Sequence, residues 1–152
     1  MKTHGVQRIA ILLKDPDTVD KAVALYSELL STSFHYSPAA PPDGIYNAWS
    51  YDAGIEMIAP IADSDGEWAP ILAQAVKERG EGIFSVVFSV DDAEEGRAKA
   101  EEMGIGITGK IEYNSDEIKE CFQDRYKTYI EHLLNPADTF GVFTVLGQLE
   151  PK

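Results

Sequence analysis

The chain states one pattern twice. Residues 8–31 read Arg-Ile-Ala-Ile-Leu-Leu-Lys-Asp, then a helical stretch ending in Tyr26-Ser27-Glu28-Leu29-Leu30. Residues 85–108 read Ser-Val-Val-Phe-Ser-Val-Asp-Asp, then a helical stretch ending in Met103-Gly104-Ile105. Arg8 falls on Ser85, Ala10 on Val87, Lys14 on Asp91 and Asp15 on Asp92. Each copy reads as an apolar strand, an acidic helix start, an amphipathic helix and a second strand. Two such copies imply a duplicated module whose halves pack about a pseudo-twofold axis, and a cleft between similar halves is a natural place for a ligand.

Periodicity extends the pattern along the chain. Gln7–Leu13 alternates as a strand, sending Arg8, Ala10 and Leu12 to one face and Ile9, Ile11 and Leu13 to the other. Asp15-Pro16-Asp17 starts a helix with acidic residues at its positive end. Ala22, Val23, Tyr26, Leu29 and Leu30 recur at helical spacing and mark its buried face. Ser33–Ser37 reads as a short strand, and Pro38–Gly44 as a loop. Ile45–Tyr51 and Ile55–Ala59 read as a hairpin about Asp52-Ala53-Gly54. Ser64-Asp65-Gly66 caps a bridging helix over about 64–80, with an apolar stripe of Trp68, Ile71, Leu72, Ala75 and Val76 and a stop at Gly80. Ile83–Val90, a helix over about 92–103 and Ile105–Ile111 repeat the opening. Asn114–Asp124 has no counterpart in the first copy and reads as a mobile loop or short helix over the cleft. Arg125–Leu134 and Gly141–Leu146 are the last strands, and Gly147–Lys152 is a frayed tail. The expected fold is α+β: two tandem βαβββ modules forming curved mixed sheets around a cleft. They make one domain over 1–152, with module one at about 6–62 and module two at about 82–148.

Charge and composition exclude several functions. The 152 residues suffice for one domain with a real core. A net charge of −13 argues against nucleic acid and anionic membranes, both of which call for clustered Lys and Arg. No apolar run approaches the roughly 18 residues of a membrane span, and Met1–Gly5 has no apolar leader core. The single cysteine, Cys121, permits no internal disulfide, which fits a reducing cytoplasm. There is no Gly-rich phosphate loop, Walker motif or zinc spacing.

The strand and helix order, Asp15-Pro16-Asp17 after the first strand, Gly54–Pro60 (Gly-Ile-Glu-Met-Ile-Ala-Pro) and Asn135–Val142 (Asn-Pro-Ala-Asp-Thr-Phe-Gly-Val) together resemble the vicinal oxygen chelate superfamily. That superfamily comprises the glyoxalase, bleomycin-resistance and extradiol dioxygenase group. Glu56–Pro60, Gly82–Asp91 and Asn135–Val142 look most like its methylmalonyl-CoA epimerase branch. The resemblance implies a cup in each module, with divalent-metal ligands at the starts of the first strands and the ends of the fourth. On this chain those positions are Arg8, Glu56, Ser85 and Val145. Only Glu56 is a usual donor. Arg8 keeps its proton and cannot ligate, and Val145 has no donor atom. No acid follows Val145 until Glu150. The expectation is therefore no cofactor and no metal. A divalent ion enters only through atypical ligands, with His35 or His132 recruited.

The candidate site follows from these positions. Arg8 and Glu56 are expected on the inner face of the first cup, where Arg8 needs an anionic partner, either Glu56 or a ligand. They form either a buried ion pair in a vacated metal position or a working pair. In the working pair Arg8 holds a substrate oxyanion and Glu56 moves a proton. Asn47 and Trp49 share a face of a strand crowded with Tyr46 and Tyr51, and two of these four are expected to touch ligand. Ser85 and Ser89 share a face at i, i+4. They read either as a hydrogen-bonded hydroxyl pair lining a wet cavity or, with Phe143, as ligand contacts, and no nucleophile elbow accompanies them. His4 reads as exposed, His35 and His132 as structural, and Cys121 as unactivated.

Three functions remain. One is metal-independent isomerase or lyase chemistry on a small oxyanion-bearing molecule, with Glu56 as base and Arg8 holding the developing charge. Another is non-catalytic sequestration of an aromatic compound, as in bleomycin resistance. The last is a metal-dependent epimerase or lyase with atypical ligands. The resemblance also implies a homodimer.

Overall fold

The computed structural model describes residues 1–38 and 41–152. The chain divides into two compact units, Ile9–Phe84, and Met1–Arg8 together with Ser85–Lys152. The division falls inside the first strand, β1 (Thr3–Leu12), which begins earlier than the alternation suggests.

In the unit Ile9–Phe84, β1 leads to α1 (Pro16–Leu29), β2 (His35–Tyr36), a 3-10 turn at Pro41–Asp43, β3 (Ile45–Ser50), β4 (Ile55–Pro60) and α2 (Trp68–Arg79). Strands lie in the order β2-β3-β4-β1. β1 and β4 are parallel, with Ala10 opposite Glu56, and the β3–β4 hairpin is antiparallel. Asp15 caps α1: its carboxylate accepts from the Thr18 amide at 2.8 Å and the Thr18 hydroxyl at 2.6 Å. These bonds hold the Asp15 carboxyl below its ordinary value. Val19 is fully buried on a core of Ala48, Ile55, Met57 and Ala59, with Ile9, Ile11, Ala22, Val23 and Tyr26 packed around it. The expected inner stripe is corrected at its end, because Leu29 is 67% exposed and Leu30 is exposed too. Leu29 is the last residue of α1, at the edge of the stripe beside Ala22, and Leu30 is already the C-cap.

Other expectations in this unit are also corrected. β2 is two residues long. The proline-rich connection does contain a helical turn, at Pro41–Asp43, while Ala39 and Ala40 lie outside the described residues. Ser64 does not cap α2. Its hydroxyl accepts from the Gly66 amide at 3.0 Å, and the N-cap Glu67 makes no side-chain cap bond. Ile71 is exposed, and Ala69 and Leu72 carry the buried stripe. A close approach sets that rotation, since a Cβ on Gly44 would lie 2.6 Å from the Ala69 Cβ.

The other unit repeats the pattern with β5 (Gly82–Val90), α3 (Ala93–Glu102), β6 (Ile107–Glu112), α4 (Ser115–Phe122), β7 (Tyr126–Leu134) and β8 (Phe143–Pro151). Its strands lie in the order β5-β8-β7-β6. β5 and β8 are parallel, with Val87 opposite Val145, and β7–β8 and β6–β7 are antiparallel. The fold is thus α+β with two βαβββ modules. The segment at 114–124 is a helix with a capping box. The Asn114 side chain accepts from the Asp116 and Glu117 amides at 3.0 Å, and Glu117 accepts from the Asn114 amide at 2.8 Å. Its inner face buries Ile118, Cys121 and Phe122. The tail is not frayed. β8 continues to Pro151, Leu149 is buried, and the Lys152 amide donates to the Arg125 carbonyl at 3.0 Å. Alternation running through Val145, Gly147 and Leu149 is the reason, because a glycine in mid-strand does not end a ladder whose partner strand continues. No helix among the described residues is long and apolar enough to cross a membrane.

Candidate functional site

Strand register sorts the candidates onto faces. In the unit Ile9–Phe84, Ala48, Met57 and Ala59 face α1, so their neighbours face the other way. That second face carries Ala10 and Leu12 from β1, Glu56 and Ile58 from β4, and Asn47 and Trp49 from β3. All six are buried. Glu56 is only 9% exposed and Asn47 8%. The Asn47 amide nitrogen donates to Glu56 Oε2 at 3.0 Å. An ionised carboxylate only accepts, so this bond also fixes which way the amide points. Asn47 Oδ1 is buried with no hydrogen-bond partner. Trp49 lies opposite Glu56, with the Tyr51 ring 6.0 Å from it and His35 5.6 Å from Tyr51. Tyr46 sits on the α1 face, where its hydroxyl and that of Tyr36 both donate to Asp20, at 2.9 and 2.7 Å. Burial and the Asp20 charge push both phenols up.

In the other unit, the face away from α3 carries Ser85, Val87 and Ser89 from β5, Phe143, Val145 and Gly147 from β8, and Tyr129, Glu131 and Leu133 from β7. Ser85 and Ser89 share a face as the spacing requires. Ser85 is buried, and Ser89 and Phe143 are half-buried. Arg8 belongs to this unit and is itself buried. Its guanidinium donates to Glu131 at 2.7 Å, to the Gln7 side chain at 2.9 Å and to the Tyr129 hydroxyl at 3.3 Å. Tyr129 stacks on Phe122 of α4 at 4.6 Å between ring centroids, and Tyr113 meets it edge-on at 5.0 Å. Phe122 of α4 therefore covers β7 at Tyr129.

Glu131 is the residue that the sequence reading misses, and it adds an anionic partner for Arg8 beyond Glu56 or a ligand. The strand of Val145 carries no acid before Glu150, whereas Glu131 stands on the neighbouring strand, opposite Gly147. A signal was available: Tyr-Ile-Glu-His-Leu-Leu places an acid within an apolar strand, and alternation puts it on the face of Tyr129 and Leu133. Gly147 makes room there. A Cβ on it would lie 2.8 Å from the Leu149 side chain, 3.0 Å from Val87 and 3.6 Å from Glu131. His132 points the other way, to α3, where it shares Glu94 at 2.9 Å with Lys110 at 3.0 Å and Arg97 at 3.0 Å. Lys110, then Arg97 and His132, hold the Glu94 carboxyl down at about 2.

The registers make the duplication quantitative. Ala10 aligns with Val87, so Glu56 and Val145 occupy equivalent positions, each opposite the first strand of its module. One step further, Asn47 lies opposite Ile58 and Glu131 opposite Gly147, so Asn47 and Glu131 are also equivalent. The positions that would ligate a metal do not fit one. Arg8 is bonded to Glu131, Ser85 offers one hydroxyl, Val145 offers nothing, and Glu56 is one carboxylate held by an amide. Among the described residues no group of three or more His, Cys, Asp or Glu is placed to hold an ion.

No family model matches the sequence, and no curated protein does. Solved structures match it in fold. The hypothetical protein BH1468 from Bacillus halodurans C-125 superimposes with a TM-score of 0.70 at 18% identity, over 97% of this chain and 95% of that one. Methylmalonyl-CoA epimerase from Mycobacterium tuberculosis gives 0.69 at 19%, over 99% and 89%. A methylmalonyl-CoA epimerase in complex with methylmalonyl-CoA and NH4+ gives 0.70 at 17%, over 99% and 100%. The chain therefore shares its fold with these solved structures, methylmalonyl-CoA epimerases among them.

Proposed function

We propose that this protein moves a proton on a small organic molecule bearing an oxyanion, as an isomerase or lyase that works without a metal. The observation that supports the reading is Glu56. It is a carboxylate on a buried sheet face, oriented by one amide donor, in a fold whose solved neighbours include epimerases bound to an acyl thioester. A general base must be positioned before its pKa matters, and the Asn47 bond supplies that position. Glu56 takes the proton next to a carbonyl and returns it on the same face to a neighbouring carbon. Ser85, Ser89, Trp49 and Phe143 are the further proposed ligand contacts. Arg8 is the proposed anion-binding residue of its own unit. Glu131 and Tyr129 fix its guanidinium, and Arg8→Met is expected to abolish binding of anionic ligands while the fold survives.

The test follows deuterium uptake at the acidic carbon of a panel of small carboxylates and acyl thioesters, with chelator present. Exchange that survives chelation supports the reading, and exchange that needs added divalent metal overturns it. Trp49, Tyr51 and His35 give a second reading its support, since they make an aromatic wall on the Glu56 face. Tight binding of an aromatic compound without exchange would establish sequestration instead. The protein is further proposed to be a cytoplasmic homodimer, and a monomer mass by light scattering would contradict that assembly.

A further inference from the structure

The Asn47 side chain is committed on one side and unanswered on the other. Its Nδ2 donates to Glu56 at 3.0 Å. Turning the amide over would set Oδ1 against a carboxylate oxygen, two acceptors with no proton between them, so the orientation is settled by charge. That leaves Oδ1, a strong acceptor with two lone pairs, buried and without any donor. Withdrawing such an atom from water carries a desolvation cost that no protein group offsets here. Register adds the location: Asn47 shares its face with Trp49, Glu56 and Ile58, away from the α1 core. The unmet acceptor and the proposed base therefore belong to one amide–carboxylate pair.

We infer that the ligand supplies the missing donor: it carries a neutral N–H or O–H group close to the carbon from which Glu56 takes its proton. This inference rests on the proton-transfer reading of Glu56 and narrows it, because ethers, esters and unsubstituted acyl chains lack that group. A site built to accept from a ligand hydrogen rejects the analogue without it, since binding then leaves Oδ1 buried and unpaired. Asn47 is in this account a positioning residue for Glu56 and a specificity residue for the ligand.

A matched pair of probes tests it. N-methylmalonamate and monomethyl malonate have the same charge, the same acidic methylene and nearly the same shape, and differ by N–H against O. Titration calorimetry or ligand-observed NMR should show the amide binding at least about tenfold tighter to the wild-type protein, the ratio one hydrogen bond of ordinary strength supplies. In Asn47→Leu the ratio should fall to about one. Should that variant not fold, Asn47→Ala replaces it for the affinities, and in a crystal structure of the wild-type protein with N-methylmalonamate the ligand nitrogen should sit within hydrogen-bond distance of Oδ1. Equal affinities, no binding of either probe at millimolar concentration, or a water on Oδ1 in that crystal would overturn the inference. Equal affinities with exchange that still needs Glu56 would sink it and spare the proton-transfer reading. A tenfold ratio without any exchange would do the reverse.

Discussion

The two modules of this chain carry the same strands in the same register, yet the faces turned away from α1 and α3 hold their acids in different ways. In the first, Glu56 is held by an uncharged amide, Asn47. In the second, the position of Glu56 is Val145, and the position of Asn47 is Glu131, whose charge is met by the Arg8 guanidinium. A pair of charges with matched geometry satisfies itself. The amide that holds Glu56 leaves its own oxygen with no donor to accept from.

The largest effect should come from breaking the self-satisfied pair. Arg8→Met leaves Glu131, 2% exposed, without its cation. Glu131→Leu does the converse to Arg8. Each should cost about 3–5 kcal/mol in urea unfolding, and the double variant should lose clearly less than the sum. Additive losses would show that the two residues do not act as a pair.

How much of this was legible beforehand is clearest on β7 and β3. Both modules, the alternation of Arg8, Ala10 and Leu12, and the shared face of Asn47 and Trp49 follow from period-2 patterning, because a sheet with one covered face must obey it. Glu131 was not legible as the Arg8 partner. The bond joins side chains 123 positions apart, and no local pattern reports which strands the fold brings near each other. Ends were also hidden. The exposed Leu29 and the ordered tail depend on where a helix stops and how far a partner strand runs, and both are tertiary facts.

Smaller effects sharpen the contrast. Gly147→Ala would press a methyl group into Leu149 and Val87 beside Glu131, and should cost about 1–3 kcal/mol by calorimetry. A loss within error would mean that the second face is loosely packed. Asn114→Ala removes the capping box of α4 and should cost about 1 kcal/mol, read by the same unfolding curves. No change would separate α4 from the stability of its module.

The weakest expected effect is on acid sensitivity. The Glu94 carboxyl is held at about 2 by Lys110, Arg97 and His132, below its usual value near 4.5. A depressed carboxyl contributes stability that is present above the unfolded-state value and lost as pH falls toward 2. Solvent screening keeps the contribution modest. Glu94→Gln should therefore flatten the fall in melting temperature between pH 5 and 2, and an unchanged slope would discount the network.

The central claim is that Glu56 is the base. Its most direct test is the rate of deuterium uptake by a carbon acid that the wild-type protein exchanges, measured with chelator present in Glu56→Gln protein whose folding is checked by circular dichroism. Glutamine keeps the size and an acceptor for Asn47 but cannot take a proton, so the rate should fall by roughly 100-fold or more while the fold and the ligand affinity persist. Exchange at the wild-type rate in folded Glu56→Gln protein would contradict the account.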